Sequence, residues 1–549
     1  MGKVFNQFKK SLDGEILPRS GSKEFRKKIM MTDNNICNEQ YNNKNEHKKC
    51  QNKVDCVCNS KNILTRPAYF EETCFIFDMT ENIFGISSSA LLSLQNFVTE
   101  VIYPFTDNYD FYRLNYNHRF NIYPVAIVKA HTVKDIRNTI IFCRKYHLPL
   151  RARGGAHCYQ PASLVNFGII MDQKPRNKIV KINKKNNTLV IEAGALLGPI
   201  INNLSKENVL IPFGTCVTNG LAGLTLGGGI GFSLREYGLT LDKLIDVKVV
   251  LANGMVVHAN NKNNTDLFWA LRGAGGGNFG VVTDFTFDII PANWVTVFTF
   301  NYKFEDAKKV LITWQKWAPF TDTKLTSEFD IFNKYQPIIV TGQLLPGKSR
   351  KSDQKLLYEL IKPLIDLDIH TALTIKTLTL EESAQYFGQG SYARPLFFYN
   401  LSDFNFDFLP EKAIDIIIYN MSLLTKYQTY NKTEINALGG NFSKIPSNAT
   451  AFPSRSAIHW LQYTSLWDVS EQEKESEKWL NNYYRDLRPY FPLKRKYVNA
   501  LDYNVPRLNA LKSYYGDNLL ELIKIKHKYD PTNFFKFEQS IPSIDEFDE

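Results

Sequence analysis

No run of 18 or more apolar residues occurs anywhere in the 549-residue chain, so no membrane-spanning helix is expected. The opening MGKVFNQFKK lacks the apolar stretch of a secretory signal, and Asn6 stands where N-myristoylation wants Ser or Thr. An intracellular and, by default, cytoplasmic protein is therefore expected, with no membrane partner. The eight cysteines form no C-x₂-C pair of the zinc-knuckle kind: Cys50, Cys56 and Cys58 lie near His47, but at the wrong spacing. Free thiols and no metal are the expectation. Apolar periodicity is missing over residues 1–60, where 12 Lys/Arg face 7 Asp/Glu among many Asn. That composition reads as a mobile basic arm. No aromatic residues alternate with its charges as a stacking surface for nucleic acid would need, so no nucleic-acid partner is expected. Internal repeats are also absent.

The remainder is rich where the arm is poor. With 44% apolar and 13% aromatic residues, the chain is too long for one compact core, and two domains are expected. Residues 122–128 (IYPVAIV) read as a strand, 133–147 as an amphipathic helix, and LPLRAR as a second strand running into Gly154-Gly155. This is the α/β order in which ligands sit at loops beyond strand ends. β-rich segments follow (KIVKI, NTLVIEA, DVKVVLA, MVVHA, FGVVTDFTFDII), with an Asn253-Gly254 turn between two of them. Helical signals lie at LLGPIINNLSKEN and DLFWALRG. From about Pro291 to residue 490 the texture changes to longer strands mixed with helices, and after Lys494 short motifs resume. An inserted domain, with the chain returning to the first, is expected.

Three stretches carry the chemistry. Arg153-Gly154-Gly155-Ala156-His157-Cys158-Tyr159 follows a strand, and its small residues let backbone N–H groups approach a diphosphate. Residues 213–231 hold Cys216 and glycines 214, 220, 223, 227, 228, 229 and 231, too many for an ordinary helix or strand; they suit backbone lying against a large flat ligand. Residues 275–280 match G-x-G-x-x-G, but follow a helix and precede a strand. A Rossmann fingerprint needs the opposite order, so nicotinamide dinucleotide binding is not expected.

Together with Tyr529-Asp530-Pro531-Thr532-Asn533-Phe534-Phe535 near the end, these stretches resemble the berberine-bridge-enzyme-like FAD-linked oxidases. These belong to the vanillyl-alcohol oxidase and p-cresol methylhydroxylase superfamily. The resemblance covers residues 115–545. It implies an α+β protein: a split p-cresol methylhydroxylase (PCMH)-type FAD-binding domain over 61–291, with its core at about 118–291. A berberine-like segment at 491–549 would complete it, and an inserted α+β substrate domain would occupy 292–490. His157 falls on the family's histidine attached to the flavin 8α-methyl group, and Cys216 on the cysteine bonded to flavin C6, although Val217 replaces the usual proline. Arg153, Gly154, Gly155, Ala156 and Tyr159 fall on the diphosphate loop. Gly220, Gly223, Gly227, Gly228 and Gly229 correspond to the glycine loop, and Gly277, Asn278, Gly280 and Val282 to the segment along the ADP portion. Tyr497-Val498-Asn499 matches the Tyr-x-Asn beside the isoalloxazine ring.

The resemblance further implies oxidation of a CH–OH or CH–NH group in a sugar, alcohol or amine, by hydride transfer to flavin N5, with dioxygen as acceptor and hydrogen peroxide as product. Alternatives are a dehydrogenase with another acceptor, since Asn219 occupies the family's oxygen-gating position, and a catalytically impaired flavoprotein with a binding role. The latter rests on Ala500, which stands where relatives carry a tyrosine or histidine base, and Ile230 also replaces a tyrosine of some relatives. Candidates for catalysis are Tyr497, Tyr503 and Gln462. Strand alternation puts Trp460 and Gln462 on one face, and His459, Leu461 and Tyr463 on the other. The substrate and the oligomeric state are not legible.

Overall fold

In the computed structural model, residues 69–388, 397–423 and 430–547 are described; the basic arm expected over residues 1–60 lies outside them. Thr132 starts helix Val133–Lys145 through a reciprocal cap: Thr132 Oγ1 accepts from Asp135 N (3.1 Å), and Asp135 Oδ2 accepts from Thr132 N (2.8 Å). Its Ile136, Ile140 and Cys143 are buried against a four-stranded sheet. That sheet has the order β1 (Val101–Ile102), β2 (Ala126–Lys129), β4 (Ile169–Asp172), β3 (Leu150–Arg153). The helix is the crossover between parallel strands, β2 and β3 lying on either side of β4.

A five-stranded antiparallel sheet stands beside it, in the order β5 (Ile179–Asn183), β6 (Thr188–Glu192), β10 (Val281–Asp288), β8 (Leu244–Val250), β9 (Val256–Asn260). The Asn253-Gly254 turn joins β8 to β9, with Gly254 at φ +79°. A short ribbon of β7 (Val209–Leu210) and β11 (Ile290–Pro291) follows. The last helices of the chain pack back onto this half. Tyr515 Oη donates to Ala274 O (2.7 Å), and the fully buried Lys526 donates to Asn278 O (2.6 Å), Phe535 O (2.9 Å) and Asp530 Oδ2 (2.7 Å). Leu519, Leu522 and Ile523 share a core with Val247, Phe285 and Phe287.

Between these halves runs a seven-stranded antiparallel sheet, in the order β15 (His370–Leu378), β12 (Val295–Tyr302), β14 (Ile338–Leu344), β13 (Leu325–Phe332), β17 (Tyr430–Ala437), β18 (His459–Trp467), β16 (Phe397–Asn405). One face is covered by helices Ala307–Trp317, Glu411–Ser422 and Glu473–Leu487, which bury Leu461, Tyr463 and Ile435. His459 stacks on Trp314 on this side (5.5 Å), as alternation along the strand requires. The sheet is tied to the first half by buried Arg235, whose guanidinium donates to the carbonyls of Pro319, Thr321, Asp322, Leu325 and Leu438. Arg455 adds a two-pronged pair with Asp242 (2.7 and 2.8 Å).

Cysteine pairing departs from expectation at one described position: Cys74 is disulfide-bonded, while Cys143, Cys158 and Cys216 are free. Sequence spacing does not tell which sulfurs approach within bonding distance. Among the described residues no helix is long and apolar enough to cross a membrane, and no His/Cys/Asp/Glu group could hold a metal ion.

Candidate functional site

A cavity of about 870 Å³ opens where the glycine-rich loops meet the uncovered face of the seven-stranded sheet. Strand β3 delivers Arg151 and Arg153 to its wall, then breaks into the 154–159 loop. Ala156 there adopts φ +63°, a conformation that favours glycine. A Cβ on Gly155 would lie 2.3 Å from Gly220 N, and one on Gly220 2.3 Å from Gly155 N, so two loops touch backbone to backbone. The His157 ring stacks on Tyr116 (centroids 4.1 Å apart, planes at 17°). Burial, with the charge of Lys174, pushes its pKa down to about 4. The imidazole is therefore neutral near pH 7, with a lone pair to form a bond.

The second loop presents Cys216, whose Sγ lies 3.3 Å from Thr218 Oγ1. It is pinned to the start of helix Leu197–Lys206, where Leu197 N donates to Asn219 O (2.9 Å) and Gly198 N to Val217 O (2.7 Å). The third loop, 274–282, is held from behind: Asn278 Nδ2 donates to Ala274 O (3.0 Å), and Asn278 Oδ1 accepts from Ile541 N (2.9 Å).

The opposite wall follows from strand register. Glu328 of β13 pairs with Asn436 of β17, which pairs with Trp460 of β18. In the next row Asp330 pairs with Glu434, and Glu434 with Gln462; beyond it Lys432 pairs with Thr464, and Thr464 with Asn400. All nine line the cavity. Lys432 Nζ bridges Asp330 Oδ2 (3.0 Å) and Glu434 Oε2 (2.8 Å), while Glu434 Oε1 accepts from Gln462 Nε2 (3.1 Å) and Asn436 Nδ2 (2.8 Å). Burial and neighbouring carboxylates hold Glu328 well above the usual carboxylate range. Burial, opposed by Lys432, pushes Asp330 up to about 7. Lys432 itself, among three carboxylates, keeps its proton despite burial. At one end of the wall Trp460 packs edge-on against Tyr497 (5.2 Å); at the other Phe398 meets Tyr159 (5.1 Å).

An FAD binding domain family matches residues 124–260, and a second family, described as berberine and berberine like, matches 496–542. An uncharacterised FAD-linked oxidoreductase of Bacillus subtilis, YgaK, is 33% identical over 442 residues, 80% of this chain and 95% of its own length. The chain belongs to the berberine bridge enzyme-like FAD-linked oxidoreductases. Among solved structures, BBE-like 1 of Physcomitrella patens superposes with a TM-score of 0.75 at 27% identity, covering 82% of this chain and 99% of its own. A variant of berberine bridge enzyme bound to (S)-reticuline gives 0.74 at 25%, covering 83% and 99%.

In this FAD-linked oxidoreductase the residues present fit the dinucleotide. Arg151 Nε, Arg153 Nε and Nη1 and Gln173 Oε1 are buried without partners, and all three residues line the cavity. The orphaned guanidinium donors of Arg151 and Arg153 beside a glycine cradle match an anionic diphosphate, while Gln173 Oε1 is an acceptor. Arg153 spends only Nη2, on Asp172 (2.9 Å) and Tyr112 O.

The cavity brings together most residues singled out from the sequence: His157, Cys216, Arg153, Gly154, Gly155, Ala156, Tyr159, Gly220, Gly223, Gly277, Asn278, Gly280, Val282, Tyr497, Asn499 and Gln462. Gly227, Gly228 and Gly229 do not line it. Their missing side chains make room for neighbours: a Cβ would meet Asn499 Oδ1 at 2.1 Å, Tyr497 Oη at 2.9 Å and Thr240 Oγ1 at 2.0 Å, respectively. Tyr503 does not line the cavity either; its hydroxyl is buried without a partner near Cys158, Arg151 and Glu538. Missed by sequence reasoning were Glu328, Asp330, Lys432 and Glu434. The available signal was the set of charges at alternate positions of LTSEFDIF and YNKTEINA.

Proposed function

We propose that the protein oxidises a CH–OH or CH–NH group of a small molecule, with FAD held covalently through His157 and Cys216. The observation that carries this reading is the single cavity in which a neutral histidine, a free cysteine and the glycine cradle face a wall of acid–base side chains. FAD supplies a two-electron acceptor for a substrate hydride, and dioxygen restores it with release of hydrogen peroxide.

The chain's own residues have distinct tasks. Arg151, Arg153 and the backbone N–H groups of 154–156 hold the diphosphate. Tyr497 Oη accepts from Gly229 N (2.9 Å) and Asn499 Nδ2 (3.0 Å), so its own proton is the one left to offer a substrate oxygen or nitrogen. Burial pushes its pKa up to about 12, against the pull of those two donors. It is therefore a hydrogen-bond donor and not the base. Gln462 commits Nε2 to Glu434 and leaves its carbonyl oxygen to accept from substrate. The Glu328 carboxyl group has no hydrogen-bonded partner among the described residues, and burial with neighbouring carboxylates makes its ionised form a stronger base than an ordinary carboxylate, the form in which it takes the substrate proton.

The test is the colour of denatured protein. Wild type should keep its flavin through unfolding and precipitation, whereas His157→Ala combined with Cys216→Ala should release all of it. Colour retained by the double variant overturns the attachment, and a colourless native protein overturns the reading as a whole.

A further inference from the structure

The polar wall gathers three carboxyl groups around one ammonium and leaves one of their oxygens without a donor. Glu328, Asp330 and Glu434 face one ammonium, Lys432, whose nitrogen is already shared between Asp330 and Glu434. Asp330 is 6% exposed, yet its Oδ1 has no hydrogen-bond partner, and it faces the cavity. A buried carboxylate oxygen without a donor costs more than a completed one gains, so this atom marks the place of a missing donor. Asn400 Oδ1, on the same wall and 4% exposed, is a second orphaned acceptor. Tyr430 and Trp460 line the cavity beside these groups and add aromatic rings of the kind cations favour. The cationic groups meant for the cofactor, Arg151 and Arg153, belong to β3 across the cavity.

Building on the function proposed above, we propose that the Asp330–Lys432–Glu434 wall is a seat for a cationic group, so that the substrates are molecules bearing a protonated amine besides the carbon that is oxidised. The ammonium donates to Asp330 Oδ1 and pairs with that carboxyl group in its ionised form. The titratable groups facing the seat are Glu328 and Asp330 from β13, Lys432 and Glu434 from β17, and, from the loops across the cavity, Tyr159 and Cys216; Gln462 is the neutral neighbour from β18. Burial raises Asp330 to about 7, so the seat gains negative charge as pH rises through neutrality, and cation binding near pH 7 releases protons.

A matched pair of probes isolates the charge: tyramine and tyrosol share one skeleton and differ by an ammonium in place of a hydroxyl. Titration calorimetry on the full flavin-loaded protein at pH 8 should show tyramine binding at least about tenfold more tightly, with the margin shrinking toward pH 6. Asp330→Asn should cut the margin to about threefold or less while leaving the flavin absorbance unchanged; Asp330→Glu should keep the preference. Tyrosol binding as well as tyramine, no heat from either probe, or a full preference in Asp330→Asn overturns the proposal. Heat of binding does not depend on flavin reduction, and the attachment test reads flavin without any ligand, so failure of the seat and failure of the proposed function remain distinguishable.

Discussion

Replacing Tyr497 by Phe removes one oxygen from the point where the glycine loop, the Tyr-Val-Asn segment and the sheet meet. Two donors lose an acceptor. Asn499 Nδ2 keeps a second partner in Leu224 O (3.2 Å), but the buried Gly229 N–H relies on the tyrosine oxygen. One orphaned buried donor costs about 1–3 kcal/mol, so the denaturation midpoint should fall accordingly. The kinetic effect should be modest. A pKa of about 12 leaves roughly one hydroxyl in 10⁵ ionised at pH 7, too few to serve as a base. Losing a hydrogen-bond donor to substrate should slow flavin reduction by about tenfold or less, whereas losing the general base would cost about 10² to 10⁴. Anaerobic stopped-flow reduction of the bound flavin, alongside urea unfolding of the same samples, reads both quantities. A rate loss of a hundredfold or more with unchanged stability would refute the assignment and return the base to Tyr497.

Glu328→Gln should show the opposite profile, losing about 10² or more in the reductive rate with flavin content intact, as read by the same stopped-flow experiment. Lys526→Met strands the fully buried Asp530 and should cost about 3–5 kcal/mol in guanidinium unfolding, with the absorbance of the still-attached flavin changing early because Asn278 O loses its donor; a cost below about 1 kcal/mol would mean the pair is not what holds the loop. Ala156→Gly relieves a positive φ and should leave stability unchanged or raise it by up to about 1 kcal/mol, as scored by thermal unfolding. A chain ending at residue 490 should not accumulate as a soluble flavoprotein, because Tyr515, Lys526 and Ile541 brace the 274–282 loop.

What could be read in the sequence was whatever is written locally. A run of glycines around Cys216 and the Arg-Gly-Gly-Ala-His string declare a backbone surface, because few other settings tolerate so many residues without side chains. The acid–base wall is not local. Asp330, Glu434 and Gln462 are neighbours only through the pairing of three strands, two of them adjacent in the sheet but about a hundred positions apart in the chain. Taken singly, each strand shows charges at alternate positions, which is also how the wet face of any antiparallel sheet looks. Tyr503 shows the converse: only six positions from Tyr497, it does not line the cavity, and a turn closed by Ala500 N donating to Tyr497 O (2.9 Å) lies between the two. The glycines at 227–229 were seen as ligand contacts, yet their role is to admit Tyr497, Asn499 and Thr240.

The contact between Gly155 and Gly220 constrains how this site can change over time. Most packed pairs can drift together, one side chain shrinking as its neighbour grows. Here both partners are already the smallest residue, and each would drive a Cβ to 2.3 Å from the other's backbone nitrogen. No reciprocal substitution exists, so the two loops that carry His157 and Cys216 are locked in spacing, and variation has to enter through the sheet across the cavity, where pairs such as Asp330 and Glu434 can be exchanged without moving the backbone.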